Sequence, residues 1–392
     1  MRQCGRVMLT LPRDGGARLY LDANATEPLR PAARAAVMSA LDCLGNPSSI
    51  HAEGRAARRI LETAREHIAV FCRARPEDVV FCSGATEANA LAIASLGHGK
   101  RILIGATEHD AIRMAAPDAL LLTVHNDGTV DLAAVQRALK DNTGALVCLM
   151  AANNETGVLH PIKEVAKLCE QFGALLHVDA VQAAGRLRAD FCALGASSVA
   201  LSSHKLGGPK GAGALVLARD VSDRVMPLIA GGGQERGRRG GTPDLPAISG
   251  FAAAAAAIAS EERMRVTALR DAIEAEALSI GATVVGKEAP RLWNTSCLAL
   301  PGIKADAQVI GLDLAGIAVS AGAACSSGKV RRSHVLTAMG LKPLAEYAIR
   351  VSLPWNAPAD AATKFCAAYR KIAIRALHSS DASHIAMTVP AG

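Results

Sequence analysis

Between residues 60 and 220, short apolar runs alternate with longer segments in which apolar positions recur every three or four residues. The runs at 79–82, 101–104, 119–122, 145–150, 198–201 and 213–217 are too short for helices and too uniformly apolar for half-exposed strands. They read as strands buried on both faces. The segments at 60–71, 87–96, 131–140 and 162–172 carry helical periodicity, and Asp131 stands where an N-cap belongs. A further run, Ala174-Leu175-Leu176-His177-Val178-Asp179, ends on an acid. This alternation predicts an α/β fold whose mostly parallel central sheet is covered by helices on both sides. Ligands of such sheets sit at the carboxyl ends of the strands. The residues just after each run are therefore the candidates for chemistry.

Beyond residue 220 the pattern changes. A Gly/Arg-rich segment, 231–241, precedes an Ala-rich stretch that reads as one long helix over 245–279. A strand pattern interrupted by a single arginine, Arg350, follows at 347–353. The division expected is a large domain over 27–250 and a smaller α+β domain built from 1–26 and 251–392, with a loop of small residues at 320–333. A chain of 392 residues exceeds the usual size of one core. Aromatic residues are only 3%, so Ala, Leu and Val must fill the interior.

The net charge of +7 is spread along the chain. It lacks the clustering of a nucleic-acid binder and suits an anionic cofactor or an acidic partner. No signal-peptide core or membrane-length run is present, which points to a cytoplasmic protein without a membrane partner. The ten cysteines show no metal-site spacing, and in a reducing compartment most would be small buried hydrophobes.

Lys205, in Ser202-Ser203-His204-Lys205-Leu206-Gly207-Gly208, lies between two buried-strand patterns. Desolvation favours a neutral amine, which can form a Schiff base with an aldehyde. A lysine for the aldehyde and a buried acid, Asp179, for a pyridinium nitrogen are the needs of pyridoxal phosphate. Ser83-Gly84-Ala85-Thr86 opens a helix after a strand, a natural anion site. His109 can lie over a ring and exchange protons. Asn153 and Asn154 are either amide donors or turn formers. The Gly/Arg segment reads better as a flexible loop carrying Arg and Thr to a phosphate than as a nucleic-acid patch. Arg350 suits a substrate carboxylate. Cys325 sits among Gly, Ala and Ser, with Lys329, Arg331 and Arg332 nearby to favour its thiolate.

Taken together, these stretches resemble the NifS/IscS-type cysteine desulfurases, within the class-V aminotransferase-like, fold-type I pyridoxal-phosphate enzymes. The stretches are Tyr20-Leu21-Asp22-Ala23-Asn24-Ala25-Thr26, Gly45-Asn46-Pro47-Ser48-Ser49-Ile50-His51, 83–89, Glu108-His109, 153–157, 177–182, 202–211, 231–242 and 323–328 with Ser333-His334-Val335-Leu336. The resemblance implies a homodimer that takes sulfur from L-cysteine, releases L-alanine and leaves a persulfide on Cys325. The sulfur then passes to an acceptor such as an iron–sulfur scaffold or a thiolation factor.

By the same resemblance Lys205 would hold the cofactor aldehyde and Asp179 its ring nitrogen. Gln182 would bond the ring hydroxyl and His109 would stack on the ring and act in catalysis. Ala85, Thr86, Ser202 and His204 would hold the phosphate, with Thr242 reaching the partner subunit's. Asn24, Asn154 and Arg350 would bind substrate, Asn154 also touching cofactor. Cys325 is further a candidate ligand of a transient iron–sulfur cluster. One departure is Glu27, where a second threonine is usual. A selenocysteine lyase or another class-V enzyme, needing no mobile cysteine, is the enzymatic alternative. An Arg/Gly nucleic-acid-binding protein is the non-enzymatic one.

Overall fold

A computed structural model describes residues 18–187, 194–322 and 332–386. The chain enters along β1 (Leu19–Tyr20) and forms two helices, α1 (Pro31–Leu41) and α2 (Ala52–Cys72). Pro31 suits the first turn of α1, where its missing N–H has no intrahelical partner to lose. The alternating stretch then supplies β2 (Val79–Cys82), α3 (Ala85–Leu96), β3 (Ile102–Gly105) and the short α4 (Asp110–Arg113). Next come β4 (Leu120–Leu122), α5 (Leu132–Asp141), β5 (Leu146–Met150) and α6 (Ile162–Gln171). Three strands complete it: β6 (Leu175–Asp179), β7 (Ser198–Ser202) and β8 (Gly213–Leu217). Asp131 caps α5, its Oδ1 accepting from the amides of Ala133 and Ala134.

These strands form one seven-stranded sheet in the order β2-β8-β7-β6-β5-β3-β4. It is mostly parallel, as the alternation predicts, with β8 antiparallel to both its neighbours. The uniformly apolar runs have a direct cause. On β5, Val147 and Leu149 enter one core and Leu146 and Cys148 the other. On β2, Val79 and Phe81 divide from Val80 in the same way. Successive side chains point to opposite faces, and both faces are covered, so no position can be polar cheaply.

The stretch at 245–279 is two helices rather than one, α7 (Leu245–Ala256) and α8 (Glu261–Ser279). Burial decides this over alanine's helix propensity. Ile248 and Phe251 of α7 pack in the large core, beside α1 and α2. Val266, Ile273 and Ala277 of α8 pack in a second core. That second core holds β9 (Thr283–Val284), β10 (Thr295–Ala299), α9 (Ala305–Leu314), β11 (Ile317–Ala318) and β12 (Ser320–Ala321). The chain continues through α10 (His334–Ala338), β13 (Ala348–Ser352) and α11 (Ala361–Ala386). The sheet here is antiparallel, β12-β13-β10-β9, and β1 pairs with β11. Phe365 and Tyr369 of α11 pack in this second core, their rings tilted by 32° with centroids 5.1 Å apart. Among the described residues no helix is long and apolar enough to cross a membrane.

The Gly/Arg segment is not the loose loop that its composition suggests. Glu235 is buried and accepts both ends of the Arg65 guanidinium at 2.7 Å, together with the Phe81 amide at 2.9 Å. Arg238 donates to Ser222 Oγ and the Glu77 carbonyl, and Arg239 to Glu87. Glu235 and Arg236 both have left-handed backbone, at φ 49° and 59°, a cost of about 1–2 kcal/mol each. The Arg65 fork and the Phe81 amide, both bonded to Glu235, pin the segment to α2 and β2. Arg65→Met should therefore lower unfolding stability by about 3–5 kcal/mol, because it strands the Glu235 carboxylate. Denaturant titration checks this, and a loss below about 1 kcal/mol would show that the pair is not what holds the segment.

Candidate active site

The carboxyl ends of β2, β3, β5, β6 and β7 meet at one edge of the large sheet, and β13 of the second core closes the space above them. The result is a cavity of about 740 Å³. Lys205, Asp179, His109, Ala85, Thr86, Asn154, Gln182, Ser202, His204, Asn24 and Arg350 all line it. Two predicted residues remain. Thr242 is exposed outside the cavity, and Cys325 lies outside the described residues.

Lys205 closes the single helical turn Ser203–Lys205 that follows β7. The turn is possible because Gly207, two residues on, takes φ +84°, and a Cβ there would lie 2.7 Å from Arg30 Cγ. The half-buried amine donates to the carbonyls of Asn24 at 2.5 Å and Ala25 at 2.9 Å. Lys210 also lines the cavity but is exposed.

Asp179 is the last residue of β6 and is buried. Its Oδ1 accepts from the Val181 amide at 3.0 Å and its Oδ2 from Asn89 Nδ2 at 2.8 Å. A carboxylate only accepts, which sets every group behind it. Asn89 must turn its Oδ1 to His177 Nε2 at 2.9 Å, so that nitrogen carries the proton. His177 Nδ1 then accepts from Ser198 Oγ at 2.8 Å. Complete burial pushes the His177 pKa down to about 3, which keeps the ring neutral and the relay in this one sense. Both donors to Asp179 are neutral, and among the described residues it forms no ion pair. A buried carboxylate without a countercharge fits a protonated pyridine nitrogen.

At the end of β2, α3 starts at Ala85 with its free amides toward the cavity, and Thr86 adds a hydroxyl. Gly213 on β8 allows this, since a Cβ there would sit 2.6 Å from the Gly84 carbonyl carbon. Glu87 braces the turn by accepting from the Ser83 amide at 2.7 Å and from Arg239. Burial opposes ionisation of Glu87, but those two donors hold its carboxyl below the ordinary range. His204 is kept neutral, its pKa pushed down to about 4 by burial and then by Lys205 and Lys210.

His109 caps α4, its Nδ1 accepting from the Ala111 amide at 3.1 Å, which leaves the proton on Nε2. The Asn pair divides its work. Asn153 Oδ1 accepts from the amides of Glu155 and Thr156 at 2.9 Å and is a turn former, whereas Asn154 lines the cavity. Glu155 is buried against the residues that flank 323–331. Ser333 Oγ donates to its Oε2 at 2.5 Å, and a Cβ on Gly322 would lie 2.7 Å from the same atom. His334 Nε2 donates to the Glu108 carbonyl at 3.0 Å. The chain flanking 323–331 is thus tied to β3 and β5 on the large sheet.

Arg350 reaches the cavity from β13, and the structure adds a partner that sequence reasoning missed. Its Nη2 donates to Asp22 Oδ1 at 2.6 Å and its Nη1 to the Asn154 carbonyl at 3.2 Å. Asn89 was missed as well. Its signal was a polar residue on the helix face otherwise made of Ala88, Leu91 and Ala92. None of the seven described cysteines lines the cavity. Cys82, Cys148, Cys169 and Cys297 are buried, which pushes their thiols up, Cys169 to about 12.

This fold and site define a class. The chain matches the family Aminotransferase class-V over residues 19–365 and belongs to it. Members of this class are fold-type I pyridoxal-phosphate enzymes, in accord with the fold and cofactor expected from the motifs. The chain is 41% identical over 361 residues to a cysteine desulfurase of Cereibacter sphaeroides, covering 88% of this chain and 92% of that one. It is 39% identical over 358 residues to an IscS-like cysteine desulfurase of Mycobacterium tuberculosis, covering 85% and 91%. A solved NifS-like protein of Rickettsia africae superposes with a TM-score of 0.83 at 34% identity, over 91% of this chain and 99% of that one.

Glu155 gives a pH prediction. Burial raises its carboxyl from the ordinary 4.5 to about 7, against the lowering effects of Ser333 and Arg350. The folded state then binds the proton more tightly than the unfolded one, so this contribution is full below 4.5 and is lost as pH rises through 7. Glu155→Gln cannot ionise. Relative to wild type it should gain about 2 kcal/mol of stability between pH 5.5 and 8.5, read from urea midpoints. Parallel pH profiles for the two proteins would remove Glu155 as the cause.

Proposed function

We propose that this chain is a cysteine desulfurase, a pyridoxal-phosphate enzyme that moves sulfur from L-cysteine to Cys325 and releases L-alanine. The observation that carries it is the pairing of Lys205 with an uncompensated buried Asp179 in one cavity, in a chain 41% identical to a cysteine desulfurase. The donor set suits the cofactor: an amine, a carboxylate, the free amides at the start of α3 and the Thr86 hydroxyl.

Bound there, pyridoxal phosphate supplies an aldehyde for the substrate amine and a ring that draws electrons from the α-carbon. Lys205 would hold the cofactor through its aldehyde, and its Nζ would be the base that takes the α-proton. Asp179 keeps the ring nitrogen protonated, and the Asn89–His177–Ser198 relay keeps Asp179 aimed. Ala85, Thr86, Ser202 and His204 would hold the phosphate, Gln182 the ring oxygen and His109 the ring face. Asn24, Asn154 and Arg350 bind the substrate carboxylate, which takes up part of the Arg350 fork that Asp22 occupies here. The Cys325 thiolate attacks the substrate sulfur. The new S–S bond replaces the substrate C–S bond, the carbon takes a proton, and Cys325-SH plus L-cysteine become Cys325-S-SH plus L-alanine.

The persulfide passes to an acceptor protein such as an iron–sulfur scaffold, and Cys325 remains a candidate transient cluster ligand. These two readings, like the cytoplasmic one, rest on the motifs and composition. The two cores support a large and a small domain, with α7 packed in the first and α8 in the second. A homodimer is supported by Thr242, which is exposed away from its own cavity, and by exposed apolar side chains at Leu41, Leu44 and Ile50. Sedimentation of the full chain should give twice the monomer mass, and a monomer at assay concentration would exclude Thr242 from the site.

Two variants test the chemistry. Lys205→Ala should abolish turnover and the yellow colour. Borohydride trapping of cofactor on Lys210 instead would overturn the assignment. Cys325→Ser should keep the colour and lose nearly all alanine release, because a hydroxyl is a poor nucleophile at neutral pH. Wild-type alanine release from Cys325→Ser would favour the lyase reading.

A further inference from the structure

Glu27, the acid at the position where a threonine is usual, has its side chain buried at the end of the segment that carries Asn24. Its Oε1 accepts from Arg186 Nη2 at 3.1 Å and its Oε2 from the Trp355 amide at 3.3 Å. Arg186 is only 6% exposed. Its Nη1 donates to the Gln182 carbonyl at 3.0 Å and to Gln182 Oε1 at 2.6 Å. Gln182 Nε2 in turn donates to the Asn24 carbonyl at 3.0 Å, the same oxygen that accepts from Lys205.

These contacts decide a question that the side-chain shape leaves open. The two ends of a glutamine amide have nearly the same shape and opposite hydrogen-bonding character. Arginine has only donors, so it demands Oε1. The Asn24 carbonyl only accepts, so it demands Nε2. Both neighbours select the same rotamer. What Gln182 then offers the cavity is its second Nε2–H. A donor there suits an anionic ring oxygen, and the flipped amide would oppose a carbonyl to it.

We propose that Arg186, charge-balanced by Glu27, is a positioning residue that locks the Gln182 amide with its N–H toward the cofactor ring oxygen. The inference rests on the reading of this cavity as a pyridoxal-phosphate site. A plain packing role is less apt, because the pair is not optimised for stability. Arg186 Nε is buried without a partner among the described residues, and a buried ion pair by itself is a weak stabiliser. The surrounding charges are accounted for. Arg350 acts on Arg186 and Arg30 on Glu27. Arg30 is itself held by both Glu262 oxygens, and Lys205 meets the network through the Asn24 carbonyl.

The test uses the loaded, full-length enzyme and two readouts other than turnover: pH titration of its visible absorbance band and the equilibrium affinity for pyridoxal phosphate. The double variant Glu27→Gln/Arg186→Met removes both charges at similar volume, so no buried charge is stranded. A hydrogen bond to the anionic form favours that form. Loss of the lock should therefore raise the apparent pKa of the band by about one unit and weaken cofactor binding about tenfold. A native-like unfolding midpoint with an unchanged titration and affinity would overturn the proposal. If the double variant does not fold, Arg186→Lys decides. It keeps the charge but not the fork, and should move the titration the same way by a smaller amount, while no movement overturns. Gln182→Ala separates the two levels. If it shifts the band and the Arg186 variants do not, only this inference fails. If Gln182→Ala is also silent, the placement of Gln182 on the ring fails with it.

Discussion

The buried carboxylate of Asp179 is the constraint on which the site depends. It ends a strand in the middle of the large sheet, where bulk water cannot stabilise it. The hydrogen bonds that reach it come from neutral donors, the Val181 amide and Asn89. Because a carboxylate cannot donate, the orientation of Asn89, the tautomer of His177 and the role of Ser198 all follow from it. Three elements, α3, β6 and β7, are thereby joined by side chains as well as by backbone. A single charge therefore organises the floor of the cavity before any ligand is present.

The roof is assembled differently. The segment Asp22 to Glu27 crosses from the second core to the large one and offers backbone carbonyls to the site. The Asn24 carbonyl accepts from both Lys205 and Gln182, and the Glu27 amide donates to the His204 carbonyl. Asp22 holds Arg350 from above. Residues from β7, β6 and β13 thus share one short stretch of chain, so their relative positions depend on it.

A second seam lies where the chain enters and leaves 323–331. Gly322 sits against Glu155, Ser333 donates to it, and His334 reaches the Glu108 carbonyl. Glu108 is itself fully buried with one carboxylate oxygen unpartnered among the described residues, which pushes its carboxyl well up. Glu108 and Glu155 are thus kept in low-dielectric surroundings, where burial raises each carboxyl against the opposing effect of its hydrogen bonds.

The sheet was legible in the sequence because strands buried on both faces must be apolar throughout, and short apolar runs have few other uses. Lys205, Asp179, His109 and the start of α3 were legible because chemistry at strand ends needs particular residue types there. The alanine-rich stretch misled, since alanine favours helix everywhere and cannot say that Phe251 and Val266 belong to different cores. The Gly/Arg segment misled for a related reason: composition records that arginines are present, not that Glu235 and Glu87 wait inside to receive them. Asp22, Asn89 and Arg186 stayed hidden because each acts through a partner far away in sequence, 328 residues for Asp22 and Arg350. Local pattern determined the elements and the residue types at their ends. Only the folded chain decided which buried donors and acceptors meet, because that pairing is set by distance in space and not by spacing along the backbone.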